Sequence, residues 1–267
     1  MFSLSLVAAI ALVPFAVAQQ GALGIQAIEA HFLQSHIVPD LFQSFTPDAL
    51  LTLNYAGVEV GPVPTVTVTP ANSSVTLSGT YTLAMVDADI VGAKLPDGQT
   101  RHWLVNGVTV AGGVVKNDTA VGITNYAGPG PAAGSGPHRY VVALYEQPST
   151  FKAPDAFSQP NMGVSTFDFN AYVKDSGLGP LVAATYITVE EGTSTASIQP
   201  TSAVITSTLP AAASPSSATG GSKATTATGS VTGSAGGAAP TSGAIGMTSA
   251  LSGVVAAAGV ILTAVMM

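Results

Sequence analysis

From residue 65 to 69 the chain alternates strictly, with Val66 and Val68 set between Thr65, Thr67 and Thr69. A period of two places the valines on one face of a strand. Further strands are predicted at Val75 to Leu77, Tyr81 to Val86, Trp103 to Val105, Tyr140 to Tyr145 and Thr185 to Val189. Turn residues separate them at Gly61-Pro62, Pro70-Ala71-Asn72 and Pro96-Asp97-Gly98. The period changes in two places. Ile25, Ile28 and Phe32 form an apolar stripe that predicts a helix over about 25–36. A second helix is predicted over about 166–176, with Ser165 as its cap, Asp168 three residues on and Gly177 as its stop. Many strands, few helices and no internal repeat predict a mainly β domain.

The two ends follow other patterns. Residues 1–18 are apolar and finish in Ala16-Val17-Ala18, the small-residue signal of a secretory leader, although the basic start is missing. A membrane helix is the alternative, but the run is short for a span of about 20 residues. Residues 192–248 are rich in Ser, Thr, Ala, Gly and Pro and read as a disordered stalk open to O-glycosylation. Residues 249–267 are apolar, and a set of small residues precedes them at 234–239. That order matches a signal for GPI attachment somewhere within 234–243. The expected location is secreted, at the cell surface, held to the membrane by a lipid anchor alone. Sequons at Asn72 and Asn117 fit such a surface. The folded part is then 19–191, one domain in size.

Charge and cysteine content remove whole classes. Six of the seven Lys and Arg and all fourteen Asp and Glu lie in 19–191, a formal charge of −8 for the domain. Such a surface has no electrostatic footprint for nucleic acid. With no cysteine, disulfide scaffolds, thiol catalysis and iron–sulfur clusters are excluded.

Four segments can carry chemistry. Asp87-Ala88-Asp89 follows a predicted strand; the two acids can ligate a metal, act as acid and base, or only end the strand in a turn. Arg101-His102-Trp103 places a histidine at the start of an apolar strand, as a ligand group or as a satisfied core histidine. The loop from Gly128 to Gly136 can converge backbone N–H groups on an anion, or only connect strands; no Gly-Lys-Ser/Thr follows, so it is no P-loop. His138 and Tyr140 beyond it are two apart and share a strand face. Gly134-Ser135-Gly136 lacks the context of a nucleophile elbow, and no zinc-binding His-Glu-x-x-His is present. No metal, cofactor or catalytic residue is expected.

Together, Asp87-Ala88-Asp89, Arg101-His102-Trp103 and Gly134-Ser135-Gly136-Pro137-His138-Arg139-Tyr140, running on to Tyr145-Glu146-Gln147, resemble the phosphatidylethanolamine-binding protein family. Ile37-Val38-Pro39-Asp40, Phe45-Thr46-Pro47 and the stretch from Phe167 to Tyr186 are similar to its flanks. The resemblance implies a two-sheet antiparallel β-sandwich with a few short helices. It also implies a small anion site lined by Asp87, His102, His138 and Tyr140, with the Gly130-Pro131 turn as a wall. Imidazole N–H, tyrosine O–H and backbone N–H groups can all donate to a phosphate, and a neighbouring carboxylate favours cationic histidine. Arg139 would point to the opposite face, in a structural role. The family's D-P-D-A-P reads Asp87-Ala88-Asp89-Ile90-Val91 here, without either proline.

The leading expectation is a cell-surface binding module for a phosphate-bearing headgroup or small phosphate-like anion. The alternative is inhibition of an extracellular or vacuolar serine carboxypeptidase or other hydrolase through protein contacts, as some relatives do. An enzyme using Asp87 and His102, and a surface protein with a vestigial site, are the remaining readings.

Overall fold

A computed structural model describes residues 13–57 and 59–194, those of 13–20 by backbone alone, and the isolated positions 204, 205, 207 and 209. The first twelve residues of the expected leader, nearly all of the stalk and the apolar tail lie outside the described residues.

Among the described residues nine strands form one antiparallel sheet: β1 (Ala49–Asn54), β2 (Thr65–Pro70), β3 (Thr80–Asp87), β4 (Gln99–Ala111), β5 (Val114–Lys116), β6 (Val121–Thr124), β7 (His138–Glu146), β8 (Ser165–Phe167) and β9 (Leu181–Val189). The main order is β1-β2-β5-β4-β3-β7-β9, and β6 and β8 pair with the far-reaching β4. The sheet curls until its ends meet: the amide of Asp48, just before β1, donates to the Val182 carbonyl of β9 at 2.9 Å. The result is nearly a closed barrel, where the family resemblance implied a two-sheet sandwich. The link between the halves is thin, since β2 and β5 share a single register pair, Thr67 with Val114.

This closure gives the sheet two buried faces. Leu83, Met85, Trp103, Val105, Tyr140, Val142 and Leu144 fill the inside of the curl. Ala84, Val86, Leu104, Val141, Ala143 and Tyr145 face outward beneath helical segments. Burial on both faces explains why β3 and β7 read as unbroken apolar runs. The outer layer is covered by α1 (Val13–Gln34), the single turn α2 (Ile37–Asp40) and α3 (Phe169–Asp175). Phe32 of α1 stacks on Phe45 with ring centroids 4.0 Å apart and meets Tyr186 edge-on. Arg101 is buried in the same layer, 5.2 Å from the ring centres of both Phe157 and Phe167. Its guanidinium donates to Thr124, Ser165 and the Gly163 carbonyl. Among the described residues no helix is long and apolar enough to cross a membrane.

Local expectations fared unevenly. The helix expected at 25–36 is the latter half of α1, which starts at Val13 and passes through the Ala18–Gln19 bond. Val75 to Leu77 is not paired as a strand. Ser165 does not cap the late helix: it belongs to β8, which pairs with β4, and its hydroxyl serves Arg101. The cap is Asp168, whose carboxylate accepts the Ala171 amide at 2.9 Å, and Gly177, at φ 69°, ends the helix. Asp168→Ala is expected to cost about 1 kcal/mol, the usual worth of such a cap; Ser165→Ala, by contrast, should act through Arg101. Urea denaturation of both variants separates the two roles.

Candidate functional site

The site is built at one end of the inner face, where β3, β4 and β7 lie side by side. Asp87 continues the inward series of Leu83 and Met85 on β3. His138 and Tyr140 do the same at the start of β7, where Tyr140 pairs with Asp87. His102 needs a special device. The β3–β4 register shifts between Met85 opposite Trp103 and Val86 opposite Arg101, so His102 is the extra residue of a bulge. A bulge re-aims the side chain it carries. His102 thereby joins Trp103 on the inner side and meets Tyr140 edge-on, centroids 5.2 Å apart. The structure thus brings together Asp87, His102, His138 and Tyr140, all four side chains that the sequence nominated.

His138 is the centre. Its Nδ1 lies 2.9 Å from Asp87 Oδ2, both side chains being 12% exposed. Its Nε2 lies 2.9 Å from Ser135 Oγ and 3.7 Å from Asp89 Oδ1. The hydrogen bond to Asp87 is the main reason that the histidine pKa is raised; burial and Arg139 oppose it, and the charges of Asp87 and Asp89 add to it. Asp87 is itself held in place, its Oδ1 accepting the Asp89 amide at 2.7 Å. This leaves Oδ2 for the imidazole.

Asp87, His138 and Ser135 share the connectivity of an activated serine, but the proton polarity differs. Ser135 donates to the Ala132 carbonyl at 2.6 Å. Its oxygen is then an acceptor towards His138, so Nε2 must be the donor. Both ring nitrogens donate only in the imidazolium. The arrangement is that of a cation offering an N–H, not of a base withdrawing a proton from serine.

The remaining groups close around this centre. His102 Nδ1 sits 3.1 Å from the Ala127 carbonyl, which can only accept, so that nitrogen carries the proton. Burial chiefly, with Asp87 alongside, pushes the Tyr140 hydroxyl well above its usual pKa and keeps it a neutral O–H. The Gly130 amide reaches the Tyr140 oxygen at 3.3 Å, and the buried Pro131 follows, so the Gly130-Pro131 turn does stand beside the site. Gly128 packs so tightly on Val60 and Gly61 that a side chain there would fall 2.8 Å from both backbones.

Arg139 faces away, as expected from its place in β7, and buttresses the site. Its Nε donates to the Asp89 carbonyl at 3.0 Å. Nη2 donates to the Ala88 and Ile90 carbonyls at 3.0 and 2.9 Å. Nη1 reaches the Ser35 carbonyl and Asp40 at 2.8 and 2.9 Å. All five guanidinium N–H groups are used. They hold the 88–90 backbone, including Asp89 at φ 60°, without the prolines that the family pattern places there.

Ser135 was not expected among the ligand groups, and Asp89 only as the second acid of the Asp87-Ala88-Asp89 pair. The only sequence signal for Ser135 is its position three residues before His138. The sequon residues Asn72 and Asn117 are both exposed. Among the described residues no three His, Asp or Glu side chains converge as a metal site would require.

Comparison with known proteins matches residues 42–187 to the sequence model of the phosphatidylethanolamine-binding protein family. The chain is 28% identical over 170 residues to CEN-like protein 1 of Nicotiana tabacum, covering 60% of this chain and 91% of that one. It is 30% identical over 131 residues to a 26 kDa secreted antigen of Toxocara canis, covering 46% of this chain and 48% of that protein. Among solved structures, carboxypeptidase Y inhibitor complexed with its cognate proteinase aligns with a TM-score of 0.50 at 20% identity. That alignment covers 62% of this chain and 95% of that one.

Proposed function

Because the chain belongs to the phosphatidylethanolamine-binding protein family, we propose that the His138 site receives a phosphate-bearing headgroup and that the chain is a binding module at the cell surface. One observation carries the reading: His138 is held as a cation by Asp87, with an N–H directed at Ser135, beside the neutral Tyr140 hydroxyl and His102. An incoming phosphate oxygen takes the place of Ser135 Oγ as acceptor from Nε2. Charge-assisted bonds of this kind are about twice as strong as neutral ones. A binding role also fits the proton polarity of the Ser135 chain better than hydrolysis does.

The balance of charge refines the ligand. Asp87 and Asp89 outnumber the one imidazolium, and Asp89 is one-third exposed. A bare anion meets repulsion from Asp89. A zwitterion such as phosphoethanolamine presents its ammonium to Asp89 and its phosphate to His138. The secreted location and lipid anchor belong to the same proposal and rest on the composition of the two ends.

Calorimetric titration with phosphoethanolamine and with inorganic phosphate tests the reading. Saturable binding is expected, tighter for phosphoethanolamine, and weakened at least about tenfold in His138→Ala, the worth of one charge-assisted hydrogen bond. Asp89→Asn should level the two ligands. Absence of binding at millimolar ligand by a folded protein would overturn the proposal. It would favour the second reading, inhibition of a serine carboxypeptidase or related hydrolase, which the name of one fold neighbour brings to mind. Inhibition unaffected by His138→Ala would mark that mode, since its contacts lie outside the site.

A further inference from the structure

On the inner face, sharing no residue with the His138 cluster, a cavity of about 280 Å³ opens between β2, β3, β4 and β5. Its depth is apolar: Val66, Leu83, Trp103, Val105 and Val108 are all buried there. Protein interiors seldom leave voids larger than a water molecule. Apolar cavities of about 150 Å³ stay dry and admit benzene. A space nearly twice that size suits a guest of about a dozen non-hydrogen atoms on the same scale.

The mouth is polar, with Thr65, Lys116, Asn117 and Asp118 all exposed there, and in the depth the polar group is the Trp103 indole. Trp103 is 7% exposed, and its indole N–H makes no hydrogen bond among the described residues. A buried indole N–H usually finds a partner. Nor is this one sealed in, because the lone sealed side-chain atom without a partner among the described residues is Gln26 Oε1. The N–H therefore opens on free space, and Trp103 is one of the residues that line this cavity. At the mouth, Lys116 and Asp118 carry opposite charges and select neither sign.

We propose that this cavity binds a small, uncharged, largely aliphatic molecule with one hydrogen-bond acceptor, such as a medium-chain ketone or ester, its oxygen on the Trp103 N–H. The site is independent of headgroup binding at His138. Trp103 is the single tryptophan of the chain, so its emission reports occupancy directly. Titration of the protein with 2-decanone is expected to shift that emission saturably, with decane binding at least about tenfold more weakly for want of the hydrogen bond. Val115→Phe, at the half-buried wall, and Val63→Phe, at the exposed mouth, should each abolish the shift. Phosphoethanolamine binding should be unchanged in both, which shows that they fold. No saturable shift in the wild type, or a shift that survives both variants, would overturn the site. Equal affinity for decane and 2-decanone would overturn the role given to the indole N–H.

Discussion

Arg139→Met is expected to destabilise the protein by about 3–5 kcal/mol, the cost of removing one partner from a buried ionic cluster. The reason is the number of groups left behind. Arg139 is 3% exposed, and its five bonds end on four backbone carbonyls and the Asp40 carboxylate. Methionine fills much of the space but satisfies none of them. Each buried acceptor left unpaired costs about 1–3 kcal/mol, less whatever water can recover. Arg139→Lys should recover only part of the loss, because an ammonium has three donors and cannot span both segments. Urea denaturation gives the magnitude. A loss below about 1 kcal/mol for Arg139→Met would mean that the 88–90 segment is held by something else. A second consequence concerns binding. Asp89 is placed by backbone that Arg139 grips, so even a folded Arg139 variant should lose the preference for phosphoethanolamine over phosphate.

Asp87→Asn should leave the fold intact but shift and weaken anion binding. The hydrogen bond to Asp87 is the largest influence raising the His138 pKa above its ordinary value of 6.5. The sign follows from linkage. A histidine whose folded pKa is raised contributes stability that is complete below about 6.5 and fades as pH rises through the folded value. Binding that depends on the imidazolium follows the same curve. Dimethyl phosphate keeps a single negative charge throughout this range and so isolates the histidine. Wild-type affinity should stay flat below pH 6.5 and fall only beyond the raised pKa. In Asp87→Asn, burial and Arg139 still lower the pKa while Asp89 alone raises it, so the fall begins at lower pH. Above that point each unit of lost pKa removes roughly a factor of ten in cationic histidine. Calorimetry at pH 5.5, 6.5 and 7.5 reads the shift. An unchanged profile would show that Asp87 does not hold the proton on His138.

Much of the site was legible because it sits on strands whose alternation is simple. Asp87, His138 and Tyr140 follow the inward series of apolar residues, and a period of two predicts their common side. His102 was legible only through the family resemblance. By alternation from Arg101 it belongs inside, but by alternation from Trp103 it belongs outside, and the bulge that decides the matter leaves no mark in composition. Ser135 and the Arg139 contacts were illegible for another reason. They depend on where a loop and the α2 turn come to rest, which is set by tertiary packing and not by any local pattern. The missed strands β1, β5, β6 and β8 are short or weakly alternating, and pairing with longer neighbours stabilises them. The expected two-sheet sandwich differed from the observed curl at one thin junction, β2 with β5, which no residue pattern announces. The cavity by Trp103 was equally hidden, since empty space has no sequence.

The closing of the sheet has a bearing on solubility. β1 and β9 end the main strand order, and in an open sheet both would present unpaired backbone to other molecules, the usual starting point for strand-to-strand aggregation. Here they turn towards each other, joined at Asp48 and Val182. A copy of this domain crowded beside others, as any protein concentrated on a surface would be, offers little backbone at those ends for a neighbour's strand to extend. Loss of that seam would expose the two edges through which neighbouring domains extend one another's sheets.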